Sequence, residues 1–200
     1  LEQSSKKKVN TILQLRHHPN VIRLYNDTKT SKSIHEIELT YITSRGQWYH
    51  VSWKGEEDKS GGILMNIGIH FFDLLIWIFG DVIKYELHFL SKHTASGYLI
   101  LKKARVKWFL SIDYKSLPQK SQNKNLRTFR SIRVDKKDLG LDYDFDKLHT
   151  ITYQNVLKNK GHGIRESIKS IKLVNELKET KPNLVQENIH KIMKELLKKR

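Results

Sequence analysis

The stretch Ile63 to Phe79, ILMNIGIHFFDLLIWIF, limits most sharply what this chain can fold into. It reaches the length of a membrane span, yet Asn66, His70 and Asp73 interrupt it, and such groups are costly in hydrocarbon. The run therefore predicts a buried core helix with other layers packed around it. Gly80 follows directly, at the position where helices commonly stop in a left-handed turn.

The three polar residues are spaced i, i+4 and i+7, so at about 100° per residue they fall within about 60° of one another. They form one polar stripe on an otherwise apolar helix. Burying an amide, an imidazole and a carboxylate without partners costs several kcal/mol, so the stripe must face either a ligand cavity or a satisfied internal network. An imidazole suits proton transfer near neutral pH, and a carboxylate one turn away can fix its tautomer and raise its pKa. Both readings stay open on spacing alone.

The flanking patterns predict an α+β fold built on an open, mostly antiparallel sheet with helices on one face. Val9 to Arg16 is rich in β-formers and reads as a strand, followed by a helical pattern from Pro19 through Tyr25. Ile37, Leu39 and Tyr41 alternate with Glu38 and Thr40, the period of a strand with one wet face. Ser44 to Ser60 lacks periodicity and reads as a long aromatic loop. Strand-like runs follow at Val82 to Leu90, Gly97 to Lys102 and Arg105 to Asp113, and their short connections favour antiparallel neighbours. A fourth, Phe129 to Val134, comes after the polar loop Lys115 to Arg127. Helices are expected over Phe145 to Leu157 and Ile164 to Leu177. Residues 1–180 read as one domain, and 181–200 as a basic amphipathic helix carrying Leu184, Val185, Ile189, Ile192, Met193, Leu196 and Leu197 on one face. That helix suits docking on its own domain or a sister subunit, with a membrane surface or nucleic acid as the other occupants.

Charge narrows the partners without choosing one. Lys plus Arg exceed Asp plus Glu by 37 − 21 = 16, a balance that attracts phosphates, nucleic acid, anionic lipid or an anionic metabolite. No DNA-docking motif accompanies the charge, so nucleic acid is the weaker reading. The absence of cysteine excludes disulfides, thiolate zinc sites and a cysteine nucleophile. The histidines are scattered without metal-ligand spacing, and no metal is assigned. With no cysteine and no signal peptide, the cytoplasm is the expected compartment. Arg16, His17 and His18 lie together, while Arg45 and Lys54 are interleaved with Trp48 and Trp53, which suits an anionic ligand that also stacks, or a solvated loop. Gly161-His162-Gly163 lacks the third glycine and preceding strand of a dinucleotide motif.

At Ser60 to Gly80, SGGILMNIGIHFFDLLIWIFG, the pattern Gly-Gly-x-Leu, Gly-x-His-x-x-Asp and Phe-Gly resembles the substrate-domain signature of the Gfo/Idh/MocA oxidoreductases. LQLRHHP (Leu13 to Pro19), TSRGQWYHVSWKG (Thr43 to Gly55), ARVKWFLSID (Ala104 to Asp113), FRSI (Phe129 to Ile132) and LHTITY (Leu148 to Tyr153) resemble the branch that acts on UDP-N-acetyl-hexosaminuronic acids. The resemblance implies NAD-dependent oxidation of the sugar C3 hydroxyl, a step of bacterial surface-polysaccharide synthesis. It implies the family's second domain, whose exposed sheet face builds homo-oligomers, dimers or tetramers. By the same resemblance His70 takes part in proton transfer and Asp73 supports it, Asn66 touches sugar or cofactor, and Arg16, His18, Tyr41 and Arg45 form the wall that receives the UDP-sugar. The family's Rossmann domain, with its NAD-binding turn and catalytic lysine, would lie before Leu1. This chain is then expected to lack its own cofactor half and to be inactive alone, with a separately encoded Rossmann domain as a candidate partner. A non-catalytic binding or assembly module on the same fold is the alternative.

Overall fold

The computed structural model describes residues 2–5, 7–141, 147–184 and 187–198. Six strands form one sheet: β1 His35–Thr43, β2 Val82–Leu90, β3 Thr94–Leu101, β4 Ala104–Ser111, β5 Thr128–Val134 and β6 Lys137–Asp138. Their spatial order is β2-β3-β4-β1-β5-β6, so the first strand in sequence lies inside the sheet. Every neighbouring pair is antiparallel except β1 and β4, which run parallel from His35 opposite Ala104 to Ile42 opposite Ser111. That exception follows from connectivity: the core helix and the β2–β3 hairpin intervene, giving the long crossover that a parallel pair needs.

The helices are α1 Pro19–Thr30, α2 Ile69–Phe79, α3 Leu148–Leu157, α4 Ile164–Glu179 and α5 Lys191–Lys198. The segment expected to be one core helix enters through a widened π-type turn, Leu64–Gly68, and continues directly into α2. Phe71, Phe72, Leu74, Leu75 and Phe79 are buried against the sheet residues Leu39, Leu99, Val106 and Trp108. The Phe72 ring meets Trp108 edge-on at 5.2 Å. Gly80, with φ of 85°, ends α2, and its N–H bonds to the Ile76 carbonyl. Gly97 of β3 lies directly beneath the Trp108 ring, where a Cβ would collide with the indole and the Glu86 carbonyl.

The larger helices layer one sheet face, as expected, but α5 lies on the other. Met193 is buried there with Ile42, Phe109 and Leu117, and Ile189, Ile192, Leu196 and Leu197 pack alongside. Part of the sheet face expected to be open is therefore covered by the chain's own C-terminal helix. The expected start of one helix, at Phe145, lies outside the described residues, as does Val185. The C-terminal helix expected over 181–200 is shorter: residues 181–184 and 187–190 are not helical, the Asn183 N–H bonding to the Leu87 carbonyl of β2 instead, so Leu184 and Ile189 lie outside α5.

Two local expectations are corrected. Val9 to Arg16 does not form a strand: Thr11 makes one isolated bridge to His162, and Gln14–His17 is a 3-10 turn. β-Propensity is expressed only beside an available edge, and both sides of the nearby β1 are taken by β4 and β5. Ser44 to Ser60 is not an open loop but three short helical turns, Gln47–Val51, Trp53–Gly55 and Glu57–Ser60. Each is about one turn long, too short for any hydrophobic period to register.

Candidate active site

The polar stripe on the core helix divides between two environments. Asn66 and His70 open onto a cleft of about 170 Å³, whose other walls are Gln14, Leu15, Tyr41, Arg45, Ile67 and Phe71. Asp73, one turn further on, is buried away from it. The segments that supply the cleft come together because β1 ends beside α2, with the Tyr41 ring 5.0 Å from Phe71. Arg130, the cross-strand partner of Tyr41, lays its guanidinium 5.3 Å from the Tyr41 ring centre.

Three buried polar atoms of cleft residues have no hydrogen-bond partner: Gln14 Oε1, Arg45 Nε and Asn66 Nδ2. Leaving such atoms unpaired costs roughly 1–3 kcal/mol each, a cost that a water or a polar ligand reaching them would relieve. The Arg45 guanidinium rests over the Tyr49 ring at 5.4 Å, which holds its stem without neutralising its charge.

Burial lowers the His70 pKa from its ordinary value, Asp73 pulls it back up, and His149 lowers it again. The net result favours a neutral imidazole at neutral pH, the form able to accept a proton.

The structure separates Arg16, His18 and Asp73 from the cleft. Arg16 holds Asp73 through Nε to Oδ2 at 2.9 Å and NH2 to Oδ1 at 2.7 Å, and reaches Glu166 Oε2 through NH1 at 2.7 Å. Its guanidinium also lies 5.3 Å over the Trp77 ring. The bidentate fork uses the arginine's planar geometry fully and leaves it no free edge for a substrate. Buried His18 caps α1, its Nδ1 accepting the Asn20 N–H at 3.2 Å. Arg16 and His18 brace the elements that carry the cleft, rather than lining it as the resemblance implied, and Asp73, expected beside His70 as a supporting carboxylate, is engaged by Arg16.

Sequence reading missed Gln14 and Glu166. Gln14 sits among apolar neighbours with no spacing signal, and Glu166 meets Arg16 only because α4 packs on α2. His162, which bonds Glu166 at 2.7 Å, and His17, whose ring lies 5.6 Å from that of His162, extend this polar network toward α3.

Residues 32–117 match the C-terminal alpha/beta domain of the oxidoreductase family GFO_IDH_MocA. The WlbA (WbpB) dehydrogenase from Thermus thermophilus, solved with NAD and alpha-ketoglutarate, superimposes with a TM-score of 0.89 at 40% identity over 94% of this chain. Its complex with NAD and UDP-GlcNAcA gives 0.88 at 40% identity over 95% of this chain. The WlbA dehydrogenase from Bordetella pertussis, 17% identical over 88% of this chain and 63% of its own, shares the fold with a TM-score of 0.66. The chain spans about 62% of the length of the Thermus enzyme. The signature on the core helix, the family match and these superpositions agree: the chain matches the C-terminal alpha/beta domain of the Gfo/Idh/MocA oxidoreductases and resembles the WlbA dehydrogenases.

Proposed function

We propose that this chain is the substrate-binding and oligomerisation part of an NAD-dependent oxidoreductase that oxidises the C3 hydroxyl of a UDP-N-acetyl-hexosaminuronic acid, in the cytoplasm, for surface-polysaccharide synthesis. The observation that carries the reading is the convergence of His70, Asn66, Tyr41 and Arg45 on one cleft with unpaired buried donors and an acceptor. The 40% identity to an enzyme crystallised with NAD and UDP-GlcNAcA supports it.

Gln14 Oε1 and Asn66 Nδ2, an acceptor and a donor, fit a ligand that presents amide or hydroxyl groups, as both a nicotinamide and an N-acetylated sugar do. NAD, when bound, supplies the acceptor for the hydride leaving C3. The chain's own residues then do three things. Arg45 offers its charge to the anionic part of the sugar nucleotide. Asn66 and Gln14 orient the ring hydroxyls. His70, neutral because it is buried, accepts the C3 hydroxyl proton as negative charge builds on that oxygen, a contribution of roughly 10²–10⁴-fold. Asp73 acts through Arg16, holding the helix that presents His70.

No Gly-rich dinucleotide turn occurs among the described residues, so the cofactor half is assigned to a Rossmann domain, on the same polypeptide or a separate one. The 200-residue chain alone is expected to bind sugar nucleotide and turn nothing over; the second reading is a binding module that performs no chemistry. Calorimetric titration with UDP-GlcNAcA and then NAD, at two salt concentrations, tests the proposal. Salt-sensitive UDP-GlcNAcA binding without NAD binding is expected, and binding of neither overturns it. Turnover on adding a Rossmann partner excludes the binding-module reading.

A further inference from the structure

We propose that Trp48 and Trp53, with Lys54 between them, form the subsite that holds the pyrimidine base and the adjoining phosphate of a nucleoside-diphosphate sugar. This rests on the reading of the cleft as a sugar-nucleotide site.

Trp48 and Trp53 are each 55% exposed and Val51 is 84% exposed, all within one short segment. Isolated apolar side chains on a surface need no explanation, but two half-exposed indoles side by side forgo much of the largest burial any residue can offer. The segment is well braced. Tyr49 is buried, the Ser52 hydroxyl donates to the Tyr49 carbonyl at 2.9 Å, and the Gly55 and Glu56 amides bond back to Ser52 and Trp53 at 2.9 and 3.2 Å. The rings are presented by ordered backbone turns.

The Lys54 ammonium lies 5.9 Å from the Trp48 ring centroid and 5.8 Å from that of Trp53. This placement separates the possible occupants. A protein partner covering both indoles would have to strip water from the ammonium, at a cost of several kcal/mol unless it brought an anion to the same point. A nucleotide brings a π face for an indole and a phosphate for the ammonium on one small molecule.

Position favours the nucleotide further. Trp48 meets the edge of Tyr49 at 5.9 Å, Arg45 lies over Tyr49 at 5.4 Å, and Arg45 lines the cleft with its Nε unpaired. Two cations and three aromatic rings, the middle ring that of buried Tyr49, thus follow one another from the cleft that holds His70 out to the exposed indoles. A sugar in the cleft, phosphates at Arg45 and Lys54 and a base on the indoles match that series in their covalent order.

The test is titration of the 200-residue chain, and of its Trp48→Ala, Trp53→Ala and Trp48→Phe variants, with UDP and UDP-GlcNAcA, read by calorimetry and by tryptophan emission. Losing a stacked base should weaken both ligands about tenfold or more in at least one alanine variant, with Trp48→Phe recovering part of the loss if Trp48 carries the base. UDP should quench the emission of the unsubstituted chain, and the quench should shrink when the stacking tryptophan is replaced. Both rings are half exposed, so the variants should fold; if an alanine variant does not, the quench and the phenylalanine variant decide. Unchanged affinities in both alanine variants alongside normal UDP-GlcNAcA binding would overturn the base subsite and leave the proposed function standing. No binding of either ligand by the unsubstituted chain would overturn both.

Discussion

Arg16 and Asp73, 57 residues apart in sequence, form a bidentate ion pair in which both side chains are about 5% exposed. The pair joins the 3-10 turn before α1 to the middle of α2, one turn beyond His70. It therefore fixes where the proposed base sits without touching the cleft. Removing one partner strands the other charge: Asp73→Ala should cost about 3–5 kcal/mol of unfolding free energy. The double variant Arg16→Met, Asp73→Leu should lose less than Arg16→Met or Asp73→Leu alone, since neither charge of the buried pair is stranded and the more exposed Glu166 keeps His162. Urea unfolding of the four proteins measures the coupling, and strict additivity would contradict this account.

His70 is expected to act only in the complete enzyme. His70→Ala there should lower kcat by roughly 10²–10⁴-fold while changing UDP-GlcNAcA affinity little. Because burial holds the His70 pKa below its ordinary value of 6.5, the acid limb of kcat/KM should fall below that pH. A limb centred above 6.5 that disappears in the variant would show that the charged form is favoured instead.

The docking of α5 is predicted to weaken in acid. His190 is buried, with its Nδ1 accepting the Ile192 N–H at 3.2 Å and its Nε2 3.0 Å from the Thr40 hydroxyl, and its ring stacks on Phe109 at 5.6 Å. Only the neutral ring can cap the helix this way. Burial and then Lys107 lower its pKa to about 3, with Glu38 Oε1 4.0 Å away as the nearby anion. A folded pKa depressed below the unfolded 6.5 means the contribution is complete above about pH 6.5 and is lost as pH falls toward 3, by up to about 1.4 kcal/mol per pH unit. Stability measured from pH 7.5 to 4 should fall more steeply in the natural chain than in His190→Gln. Parallel curves would exclude His190 as the cause.

Gly97 has no space for a side chain between its neighbouring strands. A methyl there meets the Glu86 carbonyl and the Trp108 indole, neither of which has room to yield. Gly97→Ala should destabilise by about 1–3 kcal/mol or more and shift the near-ultraviolet signal of Trp108. Unchanged unfolding and spectra would mean β3 and β4 separate more easily than their register implies.

The extent to which sequence reading anticipated the site depended on range. Asn66 and His70 were visible because i, i+4 spacing on a helix determines a shared face whatever surrounds it. Tyr41 and Arg45 entered through resemblance, and their arrival beside His70 reflects the docking of β1 on α2. Arg16 and His18 were legible as residues but not in their parts: the same charges that suit a ligand wall also suit a buried brace, and only three-dimensional neighbours distinguish the two. The three helical turns from Gln47 to Ser60 gave no signal because one turn has no period.

Sequence by itself determined the apolar core helix and its stop at Gly80, the alternating strands, the polar stripe and the basic balance, since each depends on residues a few positions apart. Tertiary structure alone decided that Asp73 belongs to Arg16 and Glu166 to the same guanidinium, that β1 lies parallel to β4 inside the sheet, and that α5 seals part of the second face. Those outcomes hinge on which distant groups satisfy a buried charge, a strand edge or an apolar face at least cost, and that competition is settled only when the whole chain is packed.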